Sequence, residues 1–90
     1  MADTTTYTVT VPANTVMILV PPVSRPTRVT VTCGFGAAVV EITTRENADD
    51  SSFAALPALS VPWPKDLKVG EGLYCRSDLN VRVPVVLAEV

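Results

Sequence analysis

The side chains that most often do chemistry in proteins are scarce in this sequence. It contains no histidine and only two cysteines, Cys33 and Cys75. Without histidine, a serine or cysteine nucleophile lacks its usual general base. Two cysteines far apart in the sequence, with no histidine, do not make a zinc site either. We therefore expect no enzymatic activity, no metal and no cofactor.

One acidic cluster, Glu46 with Asp49 and Asp50, raises the question of calcium binding. Calcium takes about six to eight oxygen ligands, and its commonest loop spaces Asp or Asn at alternate positions before a glycine. The stretch 45–52, RENADDSS, lacks the full ladder of three such positions and its glycine. We interpret it as a solvated polar loop.

Two aromatic residues are candidates for ligand contacts. Trp63 stands between Pro62 and Pro64, and tryptophan is enriched both in cores and at subunit interfaces. One interpretation places Trp63 in the core or at an interface. The other makes Trp63 and Tyr74 stacking platforms of a carbohydrate-binding module.

Composition and charge narrow the classes of partner. A net charge of -2 and a pI near 4.8 argue against nucleic-acid binding, which favours a basic surface. No apolar run is long enough to cross a membrane. The first residues lack a secretory signal pattern, which predicts synthesis in a cytoplasm and free thiols at Cys33 and Cys75. With 48% hydrophobic and 18% charged residues, the surface is short of charge, which favours assembly with other copies or partners.

Alternating apolar and polar residues predict short strands separated by Pro, Gly and polar turns. Residues 1–12 are predicted to form an N-terminal strand or arm, and the apolar run 16–20 a strand covered on both faces. Residues 53–56 are predicted to form one helical turn or an irregular anchor. Two hairpins are predicted, one from strands 27–33 and 38–44 and the other from strands 73–76 and 80–87.

Alternation also predicts which side chains face inward. The last strand places Val81, Val83, Val85 and Leu87 on one apolar face. Its Pro84 predicts an edge position or a nearby bulge. In the segment 59–64, we expect Leu59, Val61 and Trp63 to point inward. Its two prolines confine this segment to a sheet edge.

These patterns predict a single all-β domain over residues 1–90, because 90 residues correspond to one domain. Six or seven short strands at regular spacing are typical of a two-sheet antiparallel β-sandwich. Jelly-roll-like and Ig-like connections both fit this pattern.

The order of these elements resembles small β-sandwich virion proteins of tailed bacteriophages, including capsid decoration (cement) proteins. Residues 24–31, SRPTRVTV, resemble the Arg-containing turn into a Val/Thr strand. Gly34-Phe35-Gly36 then leads into a second Val-rich strand. A Leu- and Pro-rich edge segment, 56–64, follows. The closing pair, GEGLYC at 70–75 and NVRV at 80–83, completes the likeness.

This resemblance implies a structural virion protein that binds the outside of the major capsid protein lattice and stabilises the head. It implies a homo-oligomer, with a trimer favoured over a dimer, located in the virion. The contact residues expected are Thr4, Thr5, Thr6, Tyr7, Leu59, Val61, Pro62, Trp63 and Pro64. Two alternatives remain: another phage component of the head-tail junction, tail or baseplate, and the carbohydrate-binding module.

Overall fold

The computed structural model describes residues 4–45 and 52–89, which form eight β-strands. The strands are β1 (Thr4–Val11), β2 (Met17–Val20), β3 (Thr27–Thr32), β4 (Val40–Thr43), β5 (Ala54–Ala55), β6 (Pro62–Leu67), β7 (Leu73–Ser77) and β8 (Val81–Glu89).

The strands form two four-stranded antiparallel sheets, in the orders β1-β8-β3-β6 and β2-β7-β4-β5. Four of the pairings are nested: β1 with β8, β2 with β7, β3 with β6, and β4 with β5. The chain therefore runs out along β1 to β4 and returns beside itself along β5 to β8. The pairings of β3 with β8 and β4 with β7 then join this long ribbon into two sheets.

The predicted all-β class with two antiparallel sheets is confirmed, but the prediction of six or seven strands is wrong. The additional strand is β5, whose Ala54 pairs with Ile42 of β4. Residues 53–56 were predicted to form a helical turn or an anchor. Two alanines pair as a strand here because β4 offers them an open edge, which is a tertiary effect.

Both predicted hairpins are wrong. β3 and β4 lie in different sheets, and so do β7 and β8. The turn between β3 and β4 includes Gly34 and Gly36, both with positive φ, and it carries the chain from one sheet to the other. Two strands of alternating apolar and polar residues joined by a glycine turn can pair within one sheet or lie in two facing sheets. The sequence pattern is the same in both cases.

One core joins the apolar faces of the two sheets. The last strand faces as predicted, since Val83 and Val85 are fully buried and Val81 and Leu87 pack against the core. The opposite sheet contributes the buried side chains of Leu73 and Cys75. The residues of this core are Val11, Leu19, Val20, Val29, Val31, Cys33, Val40, Ile42, Leu56, Leu67, Leu73, Cys75, Val83 and Val85.

Pro84 does not lie on an edge strand, because β8 runs between β1 and β3. The ladder between β3 and β8 ends at Val85, however, so Pro84 pairs only with Thr8 of β1. The missing N–H of Pro84 therefore costs the sheet no ladder bond on the β3 side.

Candidate interaction surfaces

The two groups of predicted contact residues lie at opposite edges of one sheet. Thr4, Thr5, Thr6 and Tyr7 belong to β1, whereas Pro62, Trp63 and Pro64 belong to β6. With β8 and β3 between them, the structure does not bring these groups into one surface. They define two separate candidate surfaces.

Near β6, two side chains do not point in the direction predicted from the sequence. Leu59 is 75% exposed and Val61 is 36% exposed, so the prediction that they point inward is wrong. The reason is that β6 begins only at Pro62, and residues 58–60 form a bend outside the ladder. Trp63, opposite Val31 of β3, is half-buried and packs against the core.

The β1 surface is exposed at Thr4, Thr5 and Thr6, whereas Tyr7 is half-buried. The Tyr7 hydroxyl donates a hydrogen bond to the backbone carbonyl of Leu19 in β2. That carbonyl lies at a register shift between Ile18 and Val20, where the ladder of β2 with β7 is irregular. Burial raises the pKa of Tyr7 above its usual value, which keeps this donor protonated.

A third surface, missed by the sequence analysis, lies on the outer side of the sheet β2-β7-β4-β5. Val16, Ile18 and Val39 are 55%, 53% and 53% exposed there. We call these residues, with Glu41 and Arg76 between them, the outer apolar face. The prediction that the run 16–20 is covered on both sides is wrong, because nothing in the described chain covers the outer side of β2. β2 is also an edge strand, which its short run between Pro12 and Pro21 could have signalled.

Arg76 of β7 stands at the centre of the outer apolar face. Its Nε donates to Oε1 of Glu41 on β4 over 3.2 Å, and its guanidinium carbon lies 4.0 Å above the centre of the Phe53 ring. Both charged side chains are about a quarter to a third exposed. These contacts hold the two charged groups close to the sheet. The side chains of Val16, Ile18 and Val39 are therefore more exposed than the ion pair between them. Val16 and Val39 line the same depression, together with Asn14, Asp78 and Ser77.

The two aromatic residues of the carbohydrate-binding alternative do not form one platform. Trp63 lies in β6 and Tyr74 in β7, which belong to different sheets. Tyr74 is only 5% exposed, so its ring offers no free face to a sugar.

Both cysteines are free and buried, as expected from the sequence. Cys75 belongs to β7, and Cys33 directly follows β3. Burial raises the pKa of Cys75 to about 12 and also raises that of Cys33. A buried thiol with a raised pKa is a poor nucleophile.

The acidic cluster of Glu46, Asp49 and Asp50 lies outside the described residues. Within residues 4–45 and 52–89, no three His, Cys, Asp or Glu side chains come together as a metal site would require. The described chain also has no helix of the length and apolarity that crossing a membrane requires.

Comparisons with known proteins give no match: no family model, no curated protein and no solved structure is similar to this chain.

Proposed function

We propose that this protein is a structural virion component, most specifically a capsid decoration protein that binds the outside of a major capsid lattice. Its nested strand pairing supports a further assignment, that the eight strands form a jelly roll. Jelly rolls occur in viral capsid proteins and in lectins. A shared fold does not imply a shared function, which depends on the surfaces of the molecule.

The observation that carries the proposal is the outer apolar face. Three branched apolar side chains, each more than half exposed, lie on one face around an ion pair. Burying the remaining area of each would contribute on the order of 1 kcal/mol. Because Ile18 lies in β2 and Val16 and Val39 directly precede β2 and β4, a partner would bind these side chains with little loss of backbone conformational entropy. The lattice of a capsid offers many identical copies of such a partner.

The shape of this face favours a protein partner over a small molecule. Its depression is about half open to solvent, whereas small-molecule sites are concave enough to bury most of a ligand. The partly exposed ion pair of Arg76 and Glu41 adds a polar anchor that can fix the orientation of a bound surface.

Co-sedimentation with capsids tests the proposal. Purified protein is mixed with heads of its own virus that lack it, and the pelleted fraction is measured as the protein concentration rises. We expect saturable binding that Val39→Asp weakens at least tenfold, since it places a charge in the apolar contact. Val69→Asp is the matched control, because Val69 is 63% exposed but lies in the turn between β6 and β7. Absence of saturable binding by the wild-type protein refutes the decoration role.

The alternative within the virion is a component of the head-tail junction, tail or baseplate. The same outer apolar face would serve there, with a different partner. Cross-linking of intact virions followed by mass spectrometry separates the two roles. Cross-links to the major capsid protein support decoration, and cross-links to tail or baseplate proteins support the alternative.

A further inference from the structure

The four edge strands of this molecule differ in how they are protected from pairing with other strands. β6 carries Pro62 and Pro64, with the charged Lys65 and Asp66 after them. β2 has four residues with a register shift, and β5 has only two residues. Proline, charge, irregularity and short length are the usual means by which proteins block edge-to-edge association.

β1 has none of these protections. It runs for eight residues, TTTYTVTV, with no proline, no charge and no register shift against β8. Its Thr4, Thr6, Thr8 and Thr10 are exposed. Among the residues that the structure describes, β1 has a ladder partner on one side only.

The backbone groups on the open side of β1 follow from the ladder pattern. Along an antiparallel strand, successive residues direct their N–H and C=O groups to alternate sides. The Cys33 N–H donates to the Val61 carbonyl over 2.9 Å, on the side of β3 that faces β6. Thr30, an odd number of residues away, therefore directs its groups to β8. There its partner Val86 directs its own groups back to β3.

The same alternation carries across β8 to β1. The backbone N–H and C=O groups of Val86 point to β3, so those of Val85 and Val83 point to β1. There Val85 pairs with Tyr7 and Val83 pairs with Val9. The threonines between and beside them must then direct their N–H and C=O groups to the open edge. These residues are Thr4, Thr6, Thr8 and Thr10.

We propose that β1 pairs antiparallel with β1 of a second copy of this chain, forming a two-fold symmetric dimer. With Thr4 opposite Thr10 of the second copy and Thr6 opposite Thr8, all four threonines become hydrogen-bonded pairs. In this register each pair exchanges two backbone hydrogen bonds. The sheet continues across the junction as β6-β3-β8-β1 followed by the same strands of the second copy in reverse order.

The composition of β1 fits a second copy better than an unrelated strand. In a two-fold contact each strand pairs with a copy of itself, so a charge close to the axis would lie diagonally opposite the same charge of the second copy. β1 has no charge to repel itself. The register also keeps the faces matched, since Thr6 and Thr8 share the outer side of the sheet while Tyr7 meets Tyr7 of the second copy on the inner side.

This pairing closes at two chains, which differs from the trimer that the resemblance implies. A trimer needs a head-to-tail contact between two different surfaces. The dimer leaves the outer apolar face free, because that face belongs to the other sheet. Dimerisation through β1 is therefore independent of capsid binding through the outer apolar face.

Light scattering coupled to size exclusion tests the proposal with a matched pair of variants. Thr6→Val keeps the backbone N–H and nearly the same shape, and we expect it to remain a dimer like the wild-type protein. Thr6→Pro removes the N–H from the open edge without removing a bond to β8, and we expect a folded monomer. Circular dichroism melting shows whether each variant is folded. A wild-type monomer, a trimer or a folded Thr6→Pro dimer overturns the proposal.

Hydrogen exchange of the wild-type protein keeps the proposal testable if Thr6→Pro does not fold. We expect the amides of Thr6 and Thr8 to be protected at concentrations where the chain is dimeric. Dilution to the monomer should release them while the amides of Tyr7 and Val9, bonded to β8, stay protected. Thr6 and Thr8 amides that exchange freely in the dimer would show that another surface holds the copies together.

Discussion

Replacing Val83 with aspartate should unfold the protein at neutral pH and leave it partly folded in acid. Val83 is fully buried on the inner face of β8, opposite Val9 of β1. An aspartate at this position replaces the two buried methyl groups of the valine with a carboxyl group in apolar surroundings. The chain must then bury a charge or keep the group protonated.

The size of the effect follows from three contributions. Losing the buried valine side chain costs about 2 kcal/mol. Keeping the carboxyl protonated at pH 7 costs about 4 kcal/mol, since its unfolded pKa is about 3.9. Leaving a neutral carboxyl short of hydrogen bonds costs about 1–3 kcal/mol more. The total is comparable with the whole stability expected of a domain of this size, about 5–13 kcal/mol.

The pH dependence has a definite sign. Because burial raises the folded-state pKa above the unfolded one, the protonation penalty is absent below about pH 4 and grows as the pH rises. Urea titrations followed by circular dichroism at pH 4 and pH 7 measure it. Val69→Asp, at an exposed turn position, should show no such loss. A Val83→Asp protein that unfolds at the wild-type urea concentration at pH 7 would refute the assigned facing of β8.

Two further predictions concern buried polar groups. Tyr7→Phe removes the donor to the Leu19 carbonyl, so urea denaturation should show a loss of about 1 kcal/mol; unchanged stability would mean that water replaces the hydroxyl at no cost. Burial raises the pKa of Cys75 to about 12 from an ordinary value of 9.0. As the pH rises, this thiol therefore loses its proton at a lower pH in the unfolded chain than in the folded one. The corresponding contribution to stability is complete below about pH 9 and is lost as the pH rises toward 12. Denaturation at stepwise pH checks this in Cys75→Ala and wild-type proteins, and equal alkaline loss in both would contradict it.

The sequence was sufficient to predict what depends on alternation along one strand. Val83 and Val85 face inward because apolar residues recur at every second position of the last strand. Pro62 and Pro64 correctly predicted an edge strand, because a proline cannot donate to a ladder. These predictions need no knowledge of which strand lies beside which.

The sequence was insufficient where the answer depends on which strands pair. The glycines at 34 and 36 mark a reversal of the chain, but a reversal between two sheets and a hairpin within one sheet have the same local pattern. The exposure of Val16 and Ile18 also depends on tertiary structure, since it follows from the lack of a covering layer over the outer side of β2 in the described chain. For that reason the outer apolar face came from the structure, whereas the β1 threonines came from the sequence.

Cryo-electron microscopy of capsids saturated with the added protein tests whether this chain binds the outside of a capsid lattice. We expect ordered density at repeated positions on the outer surface, with the side of the sandwich that bears Val16, Ile18 and Val39 against the capsid. Bare capsids at saturating protein, or density that faces the lattice through other strands while this side stays in solvent, would contradict it.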